Sequence, residues 1–224
     1  MPSRLLFPDP ATATDVVAFA GRAARIGDGA VRLRAQRGTL ALTAALLSPQ
    51  TLLEATPTVL GMRFARIDPE LECDLTVDAA ALAAAPDDAR ALVLPESAVA
   101  APWAGIAPPR AGWVDGGGLA AAVLAARAQW GVAAVAHALP AGAGDEAVRA
   151  VRADVWGSSD ADLLGLPRGV AFAAFALGFI GGEETASVRR SGPWTRVSLA
   201  RGHVLTRAHV HSGLTAVRAT GGRG

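Results

Sequence analysis

The residues best suited to chemistry in this chain are arginines. Arg189, Arg190, Arg196, Arg201 and Arg207 recur along a stretch with no acidic residue after Thr185. Guanidinium groups fork onto phosphate and carboxylate oxygens, so these five are candidate contacts for a phosphate backbone or a protein partner. His203, His209 and His211 run through the same stretch and share parity. On one continuous strand all three would face one side, as zinc or nickel could use. No second cysteine and no carboxylate stands among them, so they read as surface histidines and no metal site is assigned.

Other spacings point to other chemistries and fall short of them. Asp115-Gly116-Gly117-Gly118 precedes an apolar helical stretch, and free amides at a helix N-terminus attract anions. The spacing is not GxGxxG, and with no lysine in the chain a P-loop is impossible; a flexible lead-in to the helix is the better reading. Asp68, Glu70, Glu72 and Asp74 alternate along one strand face, where successive carboxylates diverge. They read as a solvent face, or as the counterpart of the arginine hairpin. The adjacent acids Asp87-Asp88, Asp145-Glu146 and Glu183-Glu184 read as caps and solvation. There is no G-x-S-x-G elbow and no suggestion of a Cys-His pair, and Schiff-base chemistry is excluded without lysine. No catalytic residue and no cofactor is therefore assigned.

The elements that must position these residues fall into two sets. In the first, Leu5 to Phe7 reads as a short strand. Thr12 and Asp15 offer capping chemistry to a helix reaching about Ile26, with Val16, Phe19, Ala20, Ala23 and Ile26 on one face. Val31, Leu33 and Ala35 alternate with Arg32, Arg34 and Gln36, and Arg37-Gly38 makes a tight turn into Leu40, Leu42, Ala44 and Leu46. Strands over 59–67 and 71–77, a short alanine-rich helix capped by Asp78, and a strand over 91–94 complete a mostly antiparallel sheet with helices against one face. In the second set, helices are expected over 119–139, bent near Gly131, over 145–156, and in a third with Pro167 in its first turn and Phe172, Phe175 and Phe179 as a stripe at helical spacing. His137 reads as a core-edge histidine on the first of these. A β-hairpin turning at Ser191-Gly192-Pro193 follows, an order like that of a winged-helix module.

The expected fold class is α+β: a sheet domain over 1–99, a Pro-rich linker over 100–114, a helical domain with a β-hairpin over 115–211, and a flexible tail over 212–224. All five tryptophans lie beyond residue 100, and the run APWAGIAPPRAGW sits where composition changes. The 224 residues suffice for a sizeable core. Lys, Asn and Tyr are all absent, the pattern of a GC-rich genome, so arginine carries the fixed positive charge and its abundance alone says little about nucleic acid. Residues 1–100 hold nine Arg against twelve acids, and residues 101–224 hold twelve against eight. The lone Cys73 excludes an internal disulfide and reads as a small core residue. The opening MPSRLLFPDP has no apolar leader, which implies the cytoplasm. Leu119–Leu139 is interrupted by Arg127, Gln129 and His137 and its apolar content is mostly alanine, so it reads as a buried helix and no membrane role is expected.

Three segments, VWG (155–157), LPRGVAFAAFALGFI (166–180) and GPWTRVSLARGHVL (192–205), resemble an uncharacterised two-domain family of high-GC actinobacteria. The resemblance extends over most of the chain and implies no assigned function and no catalytic residue. The expected function is non-enzymatic, through a protein partner or self-association, because the second half holds all five Trp, three of the six Phe and twelve of the twenty-one Arg, types enriched in interface cores. One alternative is association with DNA through the arginine hairpin, although the apolar 170–180 helix has no side chain to read a base edge. Another is a small-ligand site or active site at the junction around Trp103, Trp113 and Asp115.

Overall fold

The computed structural model describes residues 4–51, 54–140 and 142–208. In chain order the first half contributes β1 (Arg4–Leu6), α1 (Pro10–Ala23), β2 (Ala30–Gln36), β3 (Thr39–Leu47), β4 (Thr58–Arg66), β5 (Cys73–Asp78), β6 (Ala83–Ala84) and β7 (Ala91–Val93). The second half contributes β8 (Val114–Ala120), α2 (Ala121–Ala138), α3 (Asp145–Gly157), β9 (Ser159–Asp160), β10 (Leu166–Pro167), α4 (Gly169–Ala176), β11 (Thr185–Ser191), β12 (Trp194–Leu199) and β13 (Gly202–Arg207).

Eight of these strands form one antiparallel sheet in the order β5-β2-β3-β4-β13-β12-β11-β8. Its seam is the β4–β13 ladder, Thr58↔Arg207 to Met62↔His203, so four strands from each half share one hydrogen-bonded surface. The β2–β3 turn is built as expected: Arg37 (φ 51) and Gly38 (φ 74) are both left-handed, the two-residue geometry that matches strand twist. Smaller sheets, β1-β7-β6 and β10-β9, flank it.

Helices cover one face. Asp9, rather than Thr12 or Asp15, caps α1: its Oδ1 accepts from the Thr12 amide at 2.8 Å, with Pro10 in the first turn. Asp15 pairs instead with Arg63 of β4. At the centre lies α4, where Gly169, Val170, Ala171, Ala173 and Ala174 are buried. It packs on β3, β4 and β13 with α2 above it. The phenylalanine stripe divides: Phe179 is buried and stacks on Phe19 of α1 at 6.2 Å, Phe172 stacks on Trp156 at 4.3 Å, and Phe175 is 45% exposed. Phe19 and Phe179 come from opposite halves and belong to a single core cluster.

Several expectations are corrected. The hairpin β11–β12 is no wing, because β12 sits inside the large sheet between β11 and β13 and the helices pack on that sheet. The order resembled a winged helix because such patterns record sequence succession and not which strands pair. Asp115-Gly-Gly-Gly is edge strand β8, not a helix lead-in, since its backbone pairs with β11. Gly131 is a notch rather than a bend, as a Cβ there would fall inside the Trp156 ring. The alanine-rich helix after Asp78 is one 3-10 turn, Ala79–Ala81, and Pro167 lies in β10, ahead of α4. His137 is exposed near the end of α2. No described helix is long and apolar enough to cross a membrane.

Candidate functional site

The other face of the large sheet carries the alternate residues of each strand. Across it, cross-strand partners run Arg32↔Thr43↔Met62↔His203↔Ser198 in one row and Arg34↔Ala41↔Phe64 in the next. Ala45↔Leu60↔Leu205↔Arg196↔Arg189 lies on the other side of the first row. Sheet periodicity alone puts these side chains on one face.

No described helix of the α type covers this face. The segment connecting the halves, residues 99–113, crosses it as a strap. The Val99 amide donates to the Thr76 carbonyl at 2.8 Å, and a 3-10 turn, Pro102–Gly105, follows. Trp103 is 1% exposed and buries its indole against Ala30, Ala45 and Leu60, while its Nε1 donates to Asp28 Oδ2 at 2.7 Å. Arg32 donates from Nη1 to the Ala104 carbonyl and holds Asp74 by two bonds of 2.7 and 2.8 Å. At the far end Trp113 Nε1 donates to the Pro109 carbonyl at 3.0 Å, and the Arg196 guanidinium lies 4.7 Å above the Trp113 ring. An indole therefore anchors each end of the strap, and the prolines between them stiffen it.

Strap and sheet enclose a groove of about 430 Å³. Its floor is Thr43, Leu60, Met62, Phe64, His203 and Leu205, its roof Ile106 to Pro109, and its flanks carry Arg32, Arg34, Arg110 and Arg196. Four arginines and no carboxylate line it. Asp74 neutralises Arg32 and stands 3.8 Å from Arg34. The hydrogen bond from Arg32 holds the Asp74 carboxyl below the usual carboxylate range. Arg196 Nε is buried with no hydrogen-bond partner among the described residues. His203 Nδ1 lies 2.9 Å from Ser198 Oγ, and its ring meets Phe64 edge-on at 5.6 Å. Burial, and then the nearby Arg196 charge, push the His203 imidazole below its ordinary value.

The five hairpin arginines do not share a surface. Arg189 and Arg196 are cross-strand partners on the strap face. Arg190 has the opposite parity and donates to the Leu164 carbonyl at 3.4 Å. Arg201 lies in the β12–β13 turn against Gly181, and Arg207 ends β13 opposite Trp194. His209 and His211 lie outside the described residues, as does the tail 212–224. Among the described residues no group of His, Cys, Asp and Glu could hold a metal ion. The acidic stripe is broken, because β5 begins at Cys73 and only Asp74 of the four reaches the sheet. Its partners are Arg32 and Arg34 of its own half, and the described ion pairs all stay within one half. Cys73 is half-buried beside the Leu33 carbonyl, and burial pushes its thiol up.

The junction tryptophans Trp103 and Trp113 do border the groove, whereas Asp115 lies beyond it on β8. Sequence reasoning missed Arg32, Arg34 and Arg110. Alternation with Val31 and Leu33 marked the first two as facing away from the core, but nothing local marked the strap that would cover them. A second cluster also went unread: Asp160, 8% exposed, accepts from Arg168 Nε at 3.1 Å and lies 3.7 Å from Arg127 Nε, and Arg127 also pairs with Asp162.

No curated protein matches the chain in sequence. In fold it resembles the DNA polymerase sliding clamp from Caulobacter crescentus, with a TM-score of 0.48 and 13% identity over 99% of this chain and 69% of that one. A DnaN sliding clamp (DNA polymerase III subunit beta) from Bartonella birtlesii gives 0.47 and 11% over 91% and 64%. The chain thus spans about two thirds of the length of these clamps, and at such values the likeness is one of fold alone. Residues 1–105 match a domain of unknown function, DUF8010, residues 108–211 match another, DUF8185, and the chain carries the two in series.

Proposed function

We propose that the chain is a non-catalytic binding protein whose working site is the groove beneath the 99–113 strap. The observation that carries this reading is the partly open groove of about 430 Å³ between the strap and a sheet face that no described α-helix covers, which lies within the range of ligand-sized pockets. Binding is favoured over catalysis by the chemistry of the lining. Among the described residues the Ser198–His203 contact is the nearest approach to a nucleophile and base, yet the lining has no carboxylate to orient the imidazole, and burial, then the Arg196 charge, weaken it as a base. The test is a fragment screen by ligand-observed NMR on the parent and on Ala41→Phe, which fills the groove from a floor position. Fragments that bind the parent and are lost from the variant are expected. A screen without hits, or hits indifferent to Ala41→Phe, would reject the site.

A second reading, self-association, rests on a different surface. The distal half of α2 leaves Trp130 46% and Val132 45% exposed, in a segment (WGVAAVAHAL, 130–139) that is almost wholly apolar. We infer a contact between two copies of the chain through this end. Light scattering should give a dimer mass that Val132→Glu returns to the monomer; a monomer at every concentration would remove this reading.

A further inference from the structure

We infer that the groove takes a small organic anion, a flat apolar body with a carboxylate or phosphate head bound by Arg196 and Arg110. The inference rests on the groove being the working site and adds the chemical class of its occupant.

Three observations carry it. First, the charges lining the groove are all of one sign. Asp74 satisfies Arg32, and no described ion pair is made by Arg110 or Arg196. A hollow walled by uncompensated guanidinium groups is repulsive to itself and attractive to anions. Second, Arg196 is held ready. Its guanidinium lies on Trp113 at 4.7 Å and its Nε is buried without a partner. With Nε closed off, an incoming anion would meet the terminal N–H groups of the guanidinium, which make no described ion pair. Planar Arg forks donate two parallel hydrogen bonds to carboxylate or phosphate oxygens. Third, the floor beyond Arg196 is apolar. Leu60, Met62, Phe64 and Leu205 form a flat bed, and Ile106 faces them from the strap. The head belongs at the Arg196–Trp113 end and the body between bed and strap.

The probes are 2-naphthoate, which has both parts, and 2-naphthamide, its neutral isostere, titrated into the full chain by calorimetry. The expected result is that naphthoate binds and the amide binds more weakly by roughly tenfold or more, the size of a lost charge-assisted hydrogen bond. Arg196→Gln should weaken naphthoate by a similar factor. Should that variant fail to fold, Arg110→Gln, at an exposed strap position, gives the same readout without touching the core. Naphthoate binding should vanish in Ala41→Phe. Equal binding of acid and amide, both lost in Ala41→Phe, would overturn the anion inference and leave the groove standing. Naphthoate binding that survives Ala41→Phe or ignores both arginine substitutions would overturn it too, as would absence of binding by either probe at millimolar concentration.

Discussion

Replacing Trp103 tests whether the strap is part of the folded structure or merely lies upon it. The indole is fully buried against Ala30, Ala45 and Leu60. An aromatic side chain buries roughly 150–250 Å², worth about 4–6 kcal/mol at 25 cal/mol per Å². Part of that is retained by alanine, so Trp103→Ala should cost about 3–5 kcal/mol, the usual range for a large aromatic deleted from a core. Trp103→Phe keeps most of the area and loses the 2.7 Å bond to Asp28. Asp28 is exposed, so water replaces the indole there and the loss should be about 1 kcal/mol. Urea denaturation followed by circular dichroism measures both, and hydrogen exchange locates the effect. The amides of Val99, Ala104 and Ile106, bonded to Thr76, Ala101 and Trp103 respectively, should exchange faster in Trp103→Ala. A loss under about 1 kcal/mol, with those amides protected as before, would refute the view that this indole anchors the strap.

Three further outcomes follow from the packing. Gly131→Ala should lower the thermal midpoint despite gaining up to about 1 kcal/mol of helix propensity, because its Cβ meets the Trp156 ring. That ring is stacked on Phe172, and such overpacking costs about 1–3 kcal/mol; a raised midpoint would show that the ring moves freely. Asp160→Asn should cost about 1–3 kcal/mol in urea titrations by removing the charge shared by Arg127 and Arg168, while Asp162→Asn, at an exposed position, should cost under about 1 kcal/mol; equal losses would contradict the assigned burial. For His203, whose folded value lies below the ordinary imidazole value of about 6.5, the unfolded chain binds the proton first. Stability should therefore fall as pH drops below about 6.5 toward the folded value, and His203→Gln should flatten that slope; parallel midpoint curves from pH 8 to 5 for both proteins would exclude it.

What was legible in the sequence was what local pattern encodes. Alternation of Val31, Leu33 and Ala35 with Arg32 and Arg34 marked a strand and its two faces, and Arg37-Gly38 marked the turn, because both depend on neighbours in the chain. The β11–β12 hairpin and the helix at Asp145 were readable on the same grounds. Pairing between distant strands was not. Thr58–Met62 and His203–Arg207 carry no local sign that they form a ladder, so the halves looked separate. The Pro-rich run read as a spacer because prolines and glycines mark irregular chain, while burial of Trp103 depends on a sheet face formed elsewhere. The glycines at 116–118 looked like freedom before a helix and are an edge strand, since the backbone hydrogen bonds from β11 override weak strand propensity. The candidate groove inherits this split: Arg196 and the outward parity of Arg32 and Arg34 were visible, and the strap that covers them was not.

The β4–β13 seam also bears on how the chain is made. Its partners stand 141 to 149 residues apart, the longest separation of any described strand pair, and such closure costs entropy before any contact repays it. During synthesis β4 emerges long before β13, and until then Val59, Leu60 and Met62 lie on an open strand edge with only Arg63 and Arg66 to discourage association. The strand that completes the sheet is also the last described element to leave the ribosome. Biosynthesis of this protein therefore leaves an adhesive edge waiting for its final partner, and a chain truncated ahead of Gly202 would keep that edge for good.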